Sequence, residues 1–128
     1  MAEGEKRVVV VDDSATQCAA FRKFLEERYP GKVRVETYTD PKQALQALGS
    51  DVHLLLLDWE MPEMDGKVVL EEAVMRGVNP KRIIVTSAHP ADRLHEVFDT
   101  TGCLCVIEKN EPEQQAAFLQ ILDSIMRR

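Results

Sequence analysis

The chain has 128 residues and a formal net charge of −6, long enough for one domain with a core of its own. Its 45% hydrophobic and 30% charged residues include no apolar stretch of membrane-spanning length and no signal-peptide core behind Met1, which argues against a membrane protein or a secreted one. Three cysteines, with Cys103 and Cys105 spaced C-x-C, give neither a disulfide framework nor the usual zinc or redox spacing, so all three are read as reduced residues of a cytoplasmic protein; the 16 basic residues are scattered along the sequence, which argues against direct nucleic-acid binding.

The first predicted element is a strand at 8–12, where the valine run from Val8 to Val11 reads as buried on both faces and ends in Asp12-Asp13-Ser14. A helix is expected over 14–28, a turn at Pro30-Gly31 and a second strand over 33–37. Asp40-Pro41 combines an N-cap with proline at the first helical position, opening a helix over 41–48 that Gly49 should close as C-cap. The third strand, 54–58, is four leucines followed by Asp58, and the turn Trp59-Glu60-Met61-Pro62 leads to a helix start at Asp65-Gly66. A helix over 66–76 ends at Gly77, and Asn79-Pro80 marks the turn into a fourth strand, 83–87, which closes on Ser87. A helix over 91–99, a strand over 104–107, Lys109 and a helix over 113–126 follow; the last carries Phe118, Leu122 and Ile125 at helical spacing, fit to dock on a sheet.

Five alternations of strand and helix with short connections imply a parallel sheet with helices on both faces. The first and third strands both end in carboxylates, and strand order 2-1-3-4-5 makes them neighbours at the point where the order reverses. That edge would gather Asp12, Asp13, Asp58, Ser87 and Lys109. The set suits phosphoryl transfer, with a nucleophilic carboxylate, acidic ligands for Mg2+, and a lysine and a hydroxyl for the remaining phosphoryl oxygens.

The motifs resemble those of the receiver domain of bacterial two-component response regulators, the CheY-like family, along nearly the whole chain. They are Asp12-Asp13, the block from Asp58 through Met61-Pro62 to Met64-Asp65-Gly66, Ser87-Ala88, Gly102 and Lys109, in family order. The resemblance implies a flavodoxin-like (βα)5 three-layer sandwich formed by a single domain, residues 1–128. It implies that Asp58 accepts a phosphoryl group from a histidine kinase or phosphotransfer protein. Mg2+ would be held by Asp12 (largely through water), Asp13, Asp58 and the Glu60 backbone carbonyl. Lys109 would pair with the phosphoryl group and Ser87 would swing to it. Thr86 competes with Ser87 for that role, but the spacing to Lys109 and the alanine after Ser87 favour Ser87. The signal would pass through the face formed by 91–99, 104–107 and 113–126 to an output domain or a separate protein. Two positions depart from the family pattern: Val106 replaces the frequent aromatic, and Asn110 replaces the proline that commonly follows the lysine.

Simpler readings attach to the same residues. Asp12-Asp13-Ser14 alone is a helix-capping cluster, and Lys109 alone is a loop lysine; only the second carboxylate-ended strand promotes them. Trp59 is balanced between packing and gating. His53 is read as opening a strand without chemistry, and His95 as a helix-surface residue. A phosphatase working through an aspartyl phosphate, of the haloacid-dehalogenase type, would also place an acid two residues after its nucleophile, as Glu60 is here. The proline-containing block and a chain too short for a substrate cap argue against it. A degenerate receiver used only for docking conflicts with the intact acidic trio.

Overall fold

The computed structural model of the protein describes residues 5–59, 61, 66–87, 105–108 and 112–127, the backbone alone at 105–108 and 112–114. Five strands, β1 (Lys6–Val11), β2 (Val33–Tyr38), β3 (Val52–Asp58), β4 (Ile83–Ser87) and β5 (Cys105–Glu108), alternate with α1 (Ala15–Arg28), α2 (Pro41–Ala47) and α3 (Gly66–Met75). A 3-10 turn, Pro80–Arg82, leads into β4, and the C-terminal helix spans Pro112–Arg127. All strand pairs are parallel and the order is β2-β1-β3-β4-β5, which puts β1 beside β3 at the reversal. The helix expected over 91–99 lies outside the described residues.

The leucine run explains how the layers are held. Leu55 and Leu57 join Val9, Val11, Val69, Leu70 and Ala73 under α2 and α3. Leu54 and Leu56 face the other way, with Val8, Val10, Leu25, Phe118, Leu122 and Ile125 under α1 and the C-terminal helix. A strand with successive side chains in two cores must be apolar throughout, because alternate residues point to opposite faces. Each of the four leucines is at most 1% exposed, and burying such a side chain contributes about 1.5–3 kcal/mol.

Local chemistry sets the ends of most elements. Ser14 caps α1 by accepting from the Gln17 N–H, and Asp40 caps α2 by accepting from the Lys42 N–H at 2.9 Å. At the end of α3 the Gly77 N–H donates to Val74 and the Val78 N–H to Ala73, with Gly77 at φ 108°. This is the paired closure that a left-handed glycine permits. Gly49 does not repeat it. Leu48 already turns extended, at φ −81° and ψ 146°, and ends α2 without a left-handed residue. Strands β1 and β3 start two residues before the expected 8–12 and 54–58. Lys6 and Arg7 pair their backbones with Val33 and Arg34, and hydropathy does not register backbone pairing by charged residues.

Arg7 also braces this end of the sheet. It meets both Glu36 oxygens at 2.8 and 2.9 Å, Asp51 at 3.0 Å and the Ala47 carbonyl at 2.7 Å, and its guanidinium holds the Glu36 carboxyl below its usual range. The C-terminal helix is fastened at its carboxyl end. Between Arg7 and Val8 the β1–β3 register shifts so that Val52 and Leu54 find partners and His53 is the extra residue. A bulge of this kind re-aims a side chain. Here the His53 Nε2 lies 2.7 Å from the Ile125 carbonyl oxygen, so His53 has a structural task its sequence position did not suggest. Lys6 donates to the Met126 carbonyl, and cations at this end of a helix also complement its dipole. One turn earlier, Asp123 accepts two bonds from Arg28, at 2.7 and 3.0 Å, and one from the Tyr29 hydroxyl. The Arg28 bonds bring the Asp123 carboxyl down to about 2, while burial, with Asp123 beside it, pushes the Tyr29 phenol up to about 12.

Candidate functional site

Val11 and Leu57 are register partners on β1 and β3, so the residues that follow them, Asp12 and Asp58, emerge side by side at the carboxyl edge. Asp12 is 1% exposed and Asp58 3%, while Asp13 is exposed. One oxygen from each of the three lies within 4.8 Å of the others. Like charges this close oppose one another, and burying them in a dry environment is costly unless they are compensated. A hard cation relieves both terms, and three convergent carboxylate oxygens are the donors such an ion takes.

The backbone around Asp12 is tightly specified. Its N–H donates to the Tyr38 carbonyl at 3.0 Å, tying the end of β1 to the end of β2. The Ser14 N–H donates to Asp12 Oδ1 at 2.9 Å, while the Ser14 hydroxyl caps α1. Asp12-Asp13-Ser14 therefore both caps α1 and brings two carboxylates close to Asp58. Cys18, the fourth residue of α1, donates its thiol to the Asp12 carbonyl at 3.3 Å, and burial together with the Asp12 charge pushes that thiol up.

The third wall is β4. Asp58 pairs with Thr86, and the Trp59 N–H continues the ladder by donating to the Thr86 carbonyl at 2.9 Å. Ser87 is the next residue, fully buried at the end of β4. Trp59 packs on the core under α2 and α3. Its indole lies against Gly66, where an added Cβ would collide with the ring carbon Cε3 and stand 3.0 Å from the Trp59 Cα. The glycine of the 58–66 block therefore has a steric reason: α3 begins directly against the residue that follows Asp58.

Of the residues expected at this edge, Asp12, Asp13, Asp58 and Ser87 stand at adjacent strand ends. Lys109, Glu60, Asn110, Gly102 and residues 91–99 lie outside the described residues, and Val106 is described only as a backbone partner of Val85. Cys18 was read from sequence only as one of three reduced cysteines, in the core or at the surface. Its position inside the first turn after the acidic pair was the signal that could have placed it against the loop.

The sequence matches the response regulator receiver domain family over residues 8–121. A protein-glutamate methylesterase/protein-glutamine glutaminase of the group 3 operon from Cereibacter sphaeroides is 31% identical over 126 residues, covering 93% of this chain and 33% of that protein. The chain thus spans about a third of the length of that curated relative. The fold is shared with the BeF3-activated N-terminal receiver domain of Klebsiella pneumoniae RstA, with TM-score 0.79 and 20% identity over 96% of this chain and all of that one. It is shared too with the Vibrio cholerae chemotaxis protein CheY4, with TM-score 0.74 and 21% identity over 91% of this chain and 97% of that one. Parallel sheet, reversal point, acidic edge and sequence match agree, and the chain belongs to the response regulator receiver domain family. Among the described residues, no helix is long and apolar enough to cross a membrane.

Proposed function

We propose that the chain is a phosphorylation-driven switch of two-component signalling, with Asp58 as phospho-acceptor and a histidine kinase or phosphotransfer protein as donor. The observation that carries this is the convergence of Asp12, Asp13 and Asp58 within 4.8 Å at neighbouring strand ends. In the transfer, a carboxylate oxygen of Asp58 forms a bond to phosphorus as the bond from phosphorus to the donor's imidazole nitrogen breaks. The imidazole leaves with the electron pair. β3 is paired with β1 on one side and β4 on the other, and Asp58 itself pairs with Thr86, so the backbone that carries the attacking carboxylate is fixed. Lys109 supplies a point charge and Ser87 a hydroxyl to the phosphoryl oxygens. Asp12, Asp13, Asp58 and the Glu60 carbonyl would hold Mg2+. That ion, when bound, offsets the negative charge of the incoming phosphoryl group.

Phosphorylation adds about 1.5 to 2 negative charges at this edge, by analogy with other phosphorylated side chains. Ser87, drawn to the new group, would move the loop after β4 and with it residues 91–99. Val106 is β-branched and short, so it cannot sweep the volume an aromatic would. The response would thus run through the Ser87 loop toward the face that includes β5 and the C-terminal helix, and on to an output domain or partner protein. In this reading residues 1–128 act as one cytoplasmic receiver, without direct contact to nucleic acid or membrane. Incubation with acetyl phosphate and Mg2+ should add one phosphate by intact mass. Chelation of the metal or Asp58→Asn should abolish it, and labelling that survives Asp58→Asn would move the acceptor elsewhere.

A further inference from the structure

Cys18 is 3% exposed, and its sulfur lies 3.3 Å from the carbonyl oxygen of Asp12 and 3.8 Å from that of Tyr38. The thiol has one proton, and the shorter distance makes the Asp12 carbonyl its main acceptor, with the Tyr38 carbonyl a longer, secondary contact. The Asp12 carbonyl and the Asp13 N–H belong to one planar peptide unit. A donor on that carbonyl therefore fixes the rotation of the whole unit, and with it the two Cα atoms that carry the Asp12 and Asp13 carboxylates. Two further bonds at this loop act on different parts of it. The Asp12 N–H, on the Tyr38 carbonyl at 3.0 Å, holds the entry from β1, and the Ser14 N–H, at 2.9 Å, holds one carboxylate oxygen. Neither grips the peptide that joins the acidic pair.

We propose that Cys18 is a positioning residue for the cation site, its thiol setting the Asp12–Asp13 peptide so that both carboxylates converge with Asp58. Its reach to the Tyr38 carbonyl puts the same sulfur at the junction of β1, β2 and α1, so the loop is referenced to three elements at once. The helix supplies the rigidity. The Cys18 N–H is bonded to the Ser14 carbonyl at 3.0 Å, which locks the sulfur's own backbone to the cap residue of the same loop. This proposal rests on the cation-dependent reading above, and the test separates the two.

The full chain is titrated with MgCl2 alone, followed by Trp59 fluorescence and by calorimetry, as wild type, Cys18→Ala and Cys18→Ser. Loss of one modest hydrogen bond at the loop should weaken Mg2+ binding in Cys18→Ala by about three- to fivefold. Cys18→Ser keeps a hydroxyl donor at the same place and should restore wild-type affinity. A packing role alone would lower the melting temperature of Cys18→Ala and leave its affinity unchanged. Equal affinity in wild type and Cys18→Ala overturns the proposal, as does a Cys18→Ser variant as weak as Cys18→Ala. Failure of the wild type to bind Mg2+ overturns the switch reading instead, and this proposal with it. Should Cys18→Ala not fold, Cys18→Val fills the thiol's space without a donor and takes its place in the comparison.

Discussion

Replacing Gly66 with alanine tests the contact between α3 and the residue that follows Asp58. The new Cβ would overlap the Trp59 ring at Cε3 and sit 3.0 Å from both the Trp59 Cα and Cδ2. The ring can rotate, but the Cα cannot give way without moving the end of β3, whose Trp59 N–H is bonded to Thr86. Forced overpacking of this kind costs about 1–3 kcal/mol. Alanine's helix preference over glycine returns at most about 1 kcal/mol, since Gly66 is the first residue of α3. A net loss of up to about 3 kcal/mol is therefore expected. Urea unfolding should show an earlier midpoint with an unchanged slope, and the Trp59 emission of the folded variant should shift as the indole leaves its seat. A Gly66→Ala variant at least as stable as wild type, with the same emission, would refute the steric argument.

Three further outcomes follow from the packing and charge of the fold. Leu122→Ala, at a fully buried position between the C-terminal helix and the sheet, should cost about 2–5 kcal/mol, whereas Met75→Ala, at a site 85% exposed, should stay within about 0.5 kcal/mol in the same unfolding assay. Asp123 has its folded-state carboxyl lowered from 3.8 to about 2, so its pairing with Arg28 and Tyr29 contributes stability above pH 4 that is lost as pH falls toward 2. Asp123→Asn should flatten that acid limb in melts run across the interval. His53→Ala removes the contacts to the Ile125 carbonyl and to the Arg82 guanidinium and should cost about 1–3 kcal/mol, with faster amide exchange in the last turn of the helix.

The sheet and the acidic edge were legible because each rests on a local pattern. Four leucines in a row can be accommodated by a doubly buried strand, and a carboxylate directly after such a strand falls at its carboxyl end. Asp40-Pro41 and Gly77 announce helix ends through chemistry that acts within a few residues. Gly49 carries the same signal, but α2 ends one residue sooner at Leu48, which adopts extended backbone without needing glycine. The contacts that escaped the sequence are those with long separations or hidden donors. His53 reaches Ile125 only because a bulge turns it, Arg7 finds Glu36 across two strands, and Asp123 finds Arg28 from the other end of the chain. Cys18 escaped for another reason: as a small buried residue on an inward helical face it already had a sufficient explanation, and its bond to a backbone carbonyl has no counterpart in hydropathy.

The central claim is that Asp58 is the acceptor and that the neighbouring carboxylates make the transfer depend on Mg2+. The direct measurement is to phosphorylate the wild-type chain with acetyl phosphate, reduce the acyl phosphate with borohydride, and map the modified peptide by tandem mass spectrometry with and without Mg2+. The account predicts a homoserine side chain at residue 58 in the Mg2+-treated sample alone. Modification mapped to Asp12, Asp13 or any other residue, or labelling of Asp58 to the same extent without the metal, would contradict it.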